Sequence, residues 1–303
     1  MVRIIVLSIV VVLLGCEPPH PPPPETPAAP EAPVEPAEAA PVDNGDRLAN
    51  VLAVMPDTHQ VRYAHRNPHQ TLEFFGIKPG MTVLEALPGA GWYSQILVPY
   101  LRADGTLIGA NYAMDMWPKF GFFTEEFIEE MKTWTSDWPA ETQTWHDGEG
   151  ASVEAFEFGS MPAEMEGRAD AVLFIRALHN LARFEGDGAY LTKALDEAYR
   201  ALKPGGIVGV VQHEAAEDMP DGWADGSRGY LKKAFVIERM TDAGFEFVAE
   251  SDINENPDDQ PTEADIVWRL PPTLATSGED PELRAKMEAI GESHRMTLKF
   301  RKP

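Results

Sequence analysis

Val83-Leu84-Glu85-Ala86-Leu87-Pro88-Gly89-Ala90-Gly91 is the stretch that decides the fold. Met81 to Leu87 is an apolar run interrupted by one acid, which reads as a buried strand. Pro88 and the two glycines punctuate its end, and Trp92 to Leu101 follows as an apolar-faced helix. Glycines placed directly after a strand let backbone approach a ligand closely, and the helix N-terminus beyond offers free N–H groups to an anion. An ordinary turn uses the same residues, so the neighbouring segments have to decide between the two readings.

Upstream, Asp57 to Phe75 is helical in pieces, interrupted at Pro68 and stopped by the turn Gly76-Ile77-Lys78-Pro79-Gly80. Downstream, Thr106 to Ala110, Val153 to Phe158, Ala169 to Ile175, Ile207 to Val211 and Phe245 to Glu250 read as strands. Helices are expected over Thr124 to Trp134, Gly188 to Leu202 and Tyr230 to Ala243. Lys203-Pro204-Gly205-Gly206 closes the second of these, and Gly244 ends the third. Strands alternating with helices indicate βαβ units and a parallel sheet covered on both faces. Arg295 to Phe300 is the last strand.

Composition narrows the class. The 303 residues carry 49 Asp plus Glu against 25 Lys plus Arg, a formal charge of −24, with 27 prolines and one cysteine. Such a balance argues against nucleic acid, whose phosphates require clustered Lys and Arg. One cysteine leaves no intramolecular disulfide, iron–sulfur cluster or Cys-rich zinc site. The acidity favours a small or cationic substrate.

The cysteine and prolines cluster at the N-terminus. Arg3 precedes the apolar run Ile4 to Leu14, which is shorter than the ~20 residues a membrane-spanning helix needs. The run ends in Leu13-Leu14-Gly15-Cys16, which resembles the lipobox of bacterial lipoproteins. That resemblance implies a leader over residues 1–16, acylation of Cys16 and an exported protein on the periplasmic side of the inner or outer membrane. Residues 17–46 hold 11 prolines and no Lys or Arg, and read as an extended Pro/Ala/Glu tether. Residues 47–303 form the folded domain.

The order of Glu85 with its glycine turn, Asp170 to Asn180, Leu202-Lys203-Pro204-Gly205-Gly206 and Ala243-Gly244-Phe245 resembles class I S-adenosylmethionine-dependent methyltransferases. Arg62 to Pro68, Phe74-Phe75-Gly76, Pro88-Gly89-x-Gly91-Trp92-Tyr93 and Arg295-Met296-Thr297-Leu298 are similar to a group of exported bacterial methyltransferases. The resemblance implies a Rossmann-like α/β fold, a seven-stranded, mostly parallel sheet with its last strand antiparallel. The implied cofactor is S-adenosylmethionine and the implied substrate a small molecule.

Carried onto this chain, the resemblance places Glu85 beside the cofactor's amino-acid moiety, with Pro88, Gly89 and Gly91 passing under it. Trp92 and Tyr93 would face the sulfonium, cap the substrate pocket or pack under the first helix. His179, Asn180 and His213 follow the fourth and fifth strands, where a general base would stand or where structural histidines would bond. Arg176 would orient an acidic group, or pair with Glu85 or Asp170. Two positions depart from the pattern: Leu87 stands where a glycine is usual, and Asn111 where an acid binds the ribose hydroxyls. Both departures leave open a fold that has become a catalytically degenerate binding or accessory module. His59, His65 and His69 are spaced too irregularly around Pro68 for a clean metal site.

Overall fold

The computed structural model describes residues 44–146 and 150–303. The leader, Cys16 and nearly all of the tether lie outside them. Eight strands follow in chain order: β1 (Thr82–Ala86), β2 (Thr106–Asn111), β3 (Ser152–Glu157), β4 (Ala169–Ile175), β5 (Leu202–Ala215), β6 (Leu231–Lys232), β7 (Glu246–Ser251) and β8 (Arg295–Arg301). Seven of them run side by side in the order β3-β2-β1-β4-β5-β8-β7, and the two-residue β6 pairs with the end of β5. β8 runs antiparallel to both of its neighbours, while β1 to β5 pair in parallel. The chain therefore has the Rossmann-like α/β sheet expected, with one short strand more than the seven foreseen.

Residues alternate faces along each strand. Leu84, Ile108, Val172, Phe174, Val208 and Val210 pack on one face, with Leu191, Leu195, Val236 and Met240 above them. Val83, Leu107, Ala171, Leu173 and Val211 pack on the other, under Leu48, Leu72, Phe75, Ile96 and Leu97. Of α1 (Asn44–Val54), α2 (Asp57–Gln60), α3 (Tyr63–Arg66), α4 (Pro68–Phe75) and α5 (Ser94–Leu101), all but α2 place residues in the second cover. Arg47 of α1 donates to the carbonyls of Pro99 and Tyr100 at the C-terminal end of α5, fastening the two helices. After α6 (Glu125–Met131) and α7 (Trp134–Thr142), the first cover is built by α8 (Leu178–Arg183), α9 (Glu185–Gly188), α10 (Tyr190–Ala201) and α11 (Lys233–Asp242).

Three boundaries differ from the sequence reading. Leu202 already pairs with Ala169, and the register resumes at Ile207 with Ala171, so Lys203–Gly206 is a bulge within β5 rather than a turn before it. Leu231–Lys232 starts as a strand because it pairs with Glu214 and Ala215. The connection 252–294 between β7 and β8 contains α12 (Pro281–Ile290) and no strand; the sequence reading passed over it, although Asp280-Pro281 and the spacing of Leu283, Met287 and Ile290 mark a helix start and an apolar face.

Sheet order reverses between β1 and β4, the place where open α/β sheets bind ligands. Both strands leave the sheet through a non-glycine residue in the left-handed region, Leu87 (φ 54°) and Arg176 (φ 58°). Each retains a last bond to the neighbouring strand, Leu87 N–H to the Ala110 carbonyl at 2.7 Å and Arg176 N–H to Val211 at 2.6 Å. Such backbone stores on the order of 1–3 kcal/mol and persists only where its surroundings hold it.

Gly91 is needed for a different reason from the one expected. A Cβ there would lie 2.4 Å from Trp145, at φ 74°, so this glycine accommodates an indole rather than the floor of a ligand site. Gly91→Ala is expected to lower stability by roughly 2–3 kcal/mol, from backbone strain plus the clash. In a Trp145→Ala background only the strain should remain, about 1–2 kcal/mol. Urea unfolding of the four proteins measures the difference.

Candidate functional site

Two cavities meet at the turn after β1. The first, about 560 Å³, is walled by α2 and α3, the ends of β1, β4 and β5, and the 252–294 connection. The second, about 480 Å³, lies toward β2. Both are lined by Leu87, Gly89, Ala90 and Tyr112, and both have the size of small-molecule sites.

The second cavity is aromatic. Trp117, Phe127, Trp134, Trp138 and Trp145 line it together with Asn111 and Glu141. Asn111 uses its Oδ1 to accept from the Tyr112 N–H at 2.9 Å, which leaves its amide nitrogen to donate. The nearest neighbour of a Cβ on Gly89 would be 4.0 Å away, so this turn is open toward both spaces.

The first cavity is charged. Glu85 is 3 % exposed and accepts from Ser94 Oγ at 2.6 Å. Burial pushes its carboxyl up to about 7, against the pull of that hydrogen bond and of Arg176. Glu292 collects four arginines: Arg62 at 2.6 Å, Arg66 at 3.0 Å, Arg295 at 3.3 Å and Arg176 at 3.8 Å. Burial alone would raise the Glu292 carboxyl, but these guanidinium groups outweigh it and hold it below the ordinary range. Burial, reinforced by the neighbouring arginines, brings Arg66 down to about 9, which leaves it charged at neutral pH.

His179 and His213 stand side by side, 5.3 Å between ring centroids. The Gln212 amide nitrogen donates to the Gly229 carbonyl at 3.0 Å, so its oxygen faces His179 and accepts from Nδ1–H at 3.3 Å. This assigns the proton to Nδ1 and leaves Nε2 free to accept one. Burial brings His179 down to about 4 and His213 well below its ordinary value, so both are neutral at pH 7. His213 Nδ1 shares a hydrogen bond with Ser293, and Asn180 donates to Tyr112 Oη at 2.7 Å.

Glu85, Pro88, Gly89, Trp92, Tyr93, Arg176, His179, Asn180 and His213 all line the first cavity, and Asn111 lines the second. Gly91 lines neither. Trp92 is engaged by protein groups, with His59 stacked at 5.5 Å and the Arg66 guanidinium 4.5 Å from its ring centroid. Arg176 faces Glu292, whereas Asp170 takes the Thr82 N–H and Lys203, so the expected Arg176–Asp170 pairing does not form. His65 packs on Gly291 and His69 lies beside Glu73. Among the described residues no His, Cys, Asp or Glu cluster is arranged for a metal.

Sequence reasoning missed Glu292 and Arg66 as site residues, along with Gln212, Trp268 and Glu141. Gln212 was legible in principle as a polar residue inside an apolar strand. Glu292 carried no local signal, because its partners are up to 230 positions away.

No family model matches this chain, and no curated protein sequence does. Among solved structures it is similar to a SAM-dependent methyltransferase from Aquifex aeolicus, at TM-score 0.48 and 14 % identity over 84 % of this chain and 98 % of that one. It is also similar to the cyclase SpnF, at TM-score 0.48 and 18 % identity over 80 % and 82 %. An arsenic(III) S-adenosylmethionine methyltransferase from Chlamydomonas reinhardtii matches at TM-score 0.42 and 14 % identity over 84 % and 73 %.

Two substitutions probe the buried charges. Glu292→Gln is expected to remove about 3–5 kcal/mol of stability, because it strands buried guanidinium groups; chemical denaturation measures it. Glu85 behaves oppositely. Its folded value lies above the ordinary 4.5, so between about 4.5 and 7 the native state holds the extra proton and this group's contribution falls as pH rises. Glu85→Gln should therefore gain on the natural protein across that window, by on the order of 3 kcal/mol at pH 8. Unchanged relative stability between pH 4.5 and 8 would contradict it.

Proposed function

We propose that this chain is an S-adenosylmethionine-dependent methyltransferase acting on a small molecule. The observation that carries the reading is the pair of cavities joined at Leu87–Ala90 over the switch point. One is aromatic and suits a nucleoside; the other is charged and suits an amino acid and a methyl acceptor. The motif order around Glu85 supports the same ligand.

The residues present fit such a cofactor. Gly89 leaves open backbone between the two spaces, and the tryptophans of the second cavity offer faces to an adenine ring. Glu141 is a carboxylate lining that cavity, and it would accept from the ribose hydroxyls more strongly than Asn111, whose Oδ1 already accepts one bond. Glu85 would face the ammonium of the amino-acid end, a cation that would favour its ionised form. When bound, S-adenosylmethionine supplies an electrophilic methyl group. His179, neutral and protonated on Nδ1, receives the proton of the methyl acceptor on Nε2. Gln212 holds the ring, and Trp268 packs on it edge-on at 6.0 Å, helping to exclude water.

Leu87 in a left-handed conformation and Asn111 with its oxygen engaged support a second reading, a fold that binds without catalysing. In either case the leader motif supports an exported lipoprotein anchored through Cys16 on the periplasmic side of a membrane. The acidic chain makes nucleic acid a poor partner.

Calorimetric titration with S-adenosylhomocysteine is expected to give saturable heat. Gly89→Arg, which fills the junction, should abolish it while the far-UV spectrum is retained. Glu141→Gln should weaken it roughly tenfold. No heat at millimolar ligand would end both the methyltransferase reading and its cofactor assignment. Binding without methyl transfer to any acceptor would favour the second reading. For the anchor, the mature protein should begin at a diacylglyceryl Cys16 by intact mass.

A further inference from the structure

The sequence is strongly acidic, yet the first cavity is cationic. Arg62, Arg66, Arg176 and Arg295 converge on the one carboxylate of Glu292, and the other carboxylate lining the space, Glu85, is held up near 7 by burial. His59, His179 and His213 bring no negative charge. Among the described residues, two buried guanidinium donors of this lining have no partner, Nη1 of Arg66, a residue 3 % exposed, and Nε of Arg176. Both residues line the cavity. A buried guanidinium group without a partner is costly, and its planar fork matches a carboxylate or phosphate.

On the reading above, the cofactor does not balance this excess. S-adenosylmethionine carries a sulfonium and an ammonium against one carboxylate, so even with Glu85 ionised against the ammonium its binding leaves the arginine excess in place. A second ligand must supply the missing negative charge, and the space beside His179 and Trp268 is where it would lie. From this imbalance we propose that the methyl acceptor is a small acid whose carboxylate or phosphate is held by Arg66 and Arg176. The acidity of the chain as a whole had suggested a cationic substrate; the cavity reverses that expectation, because net charge sums the surface while a ligand meets the local field.

The same arginines could instead serve only the carboxylate of the cofactor, and titrations of the full-length chain distinguish the two. Inorganic phosphate and succinate are titrated into the free protein and into protein saturated with S-adenosylhomocysteine. At least one of the two anions is expected to bind the saturated protein no more weakly than the free one. Arg66→Gln and Arg176→Gln should each weaken that anion roughly tenfold or more, while Arg176→Lys recovers part of the loss. Thermal melts within a few degrees of the natural protein and near-normal S-adenosylhomocysteine binding identify variants that remain folded. Competition between anion and S-adenosylhomocysteine overturns the proposal, as does anion binding indifferent to both substitutions, or no anion binding at all. Absence of S-adenosylhomocysteine heat is a separate result: it removes the cofactor reading and the methyl-acceptor assignment with it. The anion titrations of the free protein then still decide whether the arginines form an acid-binding site.

Discussion

One carboxylate holds the ligand side of this molecule together. Glu292 lies just before β8 and draws in Arg62 and Arg66 from the N-terminal helices, Arg176 from the end of β4 and Arg295 from β8 itself. These groups belong to segments separated by most of the chain, and no hydrophobic contact would fix their relative positions as closely. Charge-assisted bonds are directional, and buried ones strongly penalise separation of the partners. The same contact closes the first cavity, so the constraint that fastens the helices over the sheet also defines the space for a ligand.

The sheet supplies the other half of the constraint. β1 and β4 both turn off its edge through strained residues, Leu87 and Arg176, each held by one last bond to an adjacent strand. Their divergence opens the space between them, and Glu85, His179 and Asn180 stand on its walls. The His179 ring is oriented by Gln212, whose amide is itself fixed by the Gly229 carbonyl. Proton placement at the site thus rests on β5 and on a loop that precedes β6.

The elements most visible in the sequence are those whose stability is local. The apolar run around Val83, the Ala169 to Ile175 strand and the helix before Leu202 appear with small boundary shifts, because period and turn chemistry are written in adjacent residues. The bulge at Lys203–Gly206 was hidden, since Pro and Gly serve a turn and a bulge equally well. Most residues singled out from the glycine turn and the strand ends do line the cavities. Gly91 is an exception, taken up by Trp145, and Trp92 lines the first cavity with a ring already engaged by His59 and Arg66. Each was engaged by a side chain whose approach is non-local.

The sequence by itself determined the order of most strands and helices, hence the α/β sheet and the edge at which such sheets bind ligands. Its motifs also named Glu85, Gly89, His179 and Asn180, whose positions follow from strand ends. Tertiary structure alone decided the electrostatics of that site. A chain with net charge −24 holds a cationic cavity because folding gathers four of its arginines around Glu292 and buries two of them, Arg66 and Arg295. Local pattern fixes where a residue sits along an element; field and protonation depend on what distant segments bring within a few ångströms.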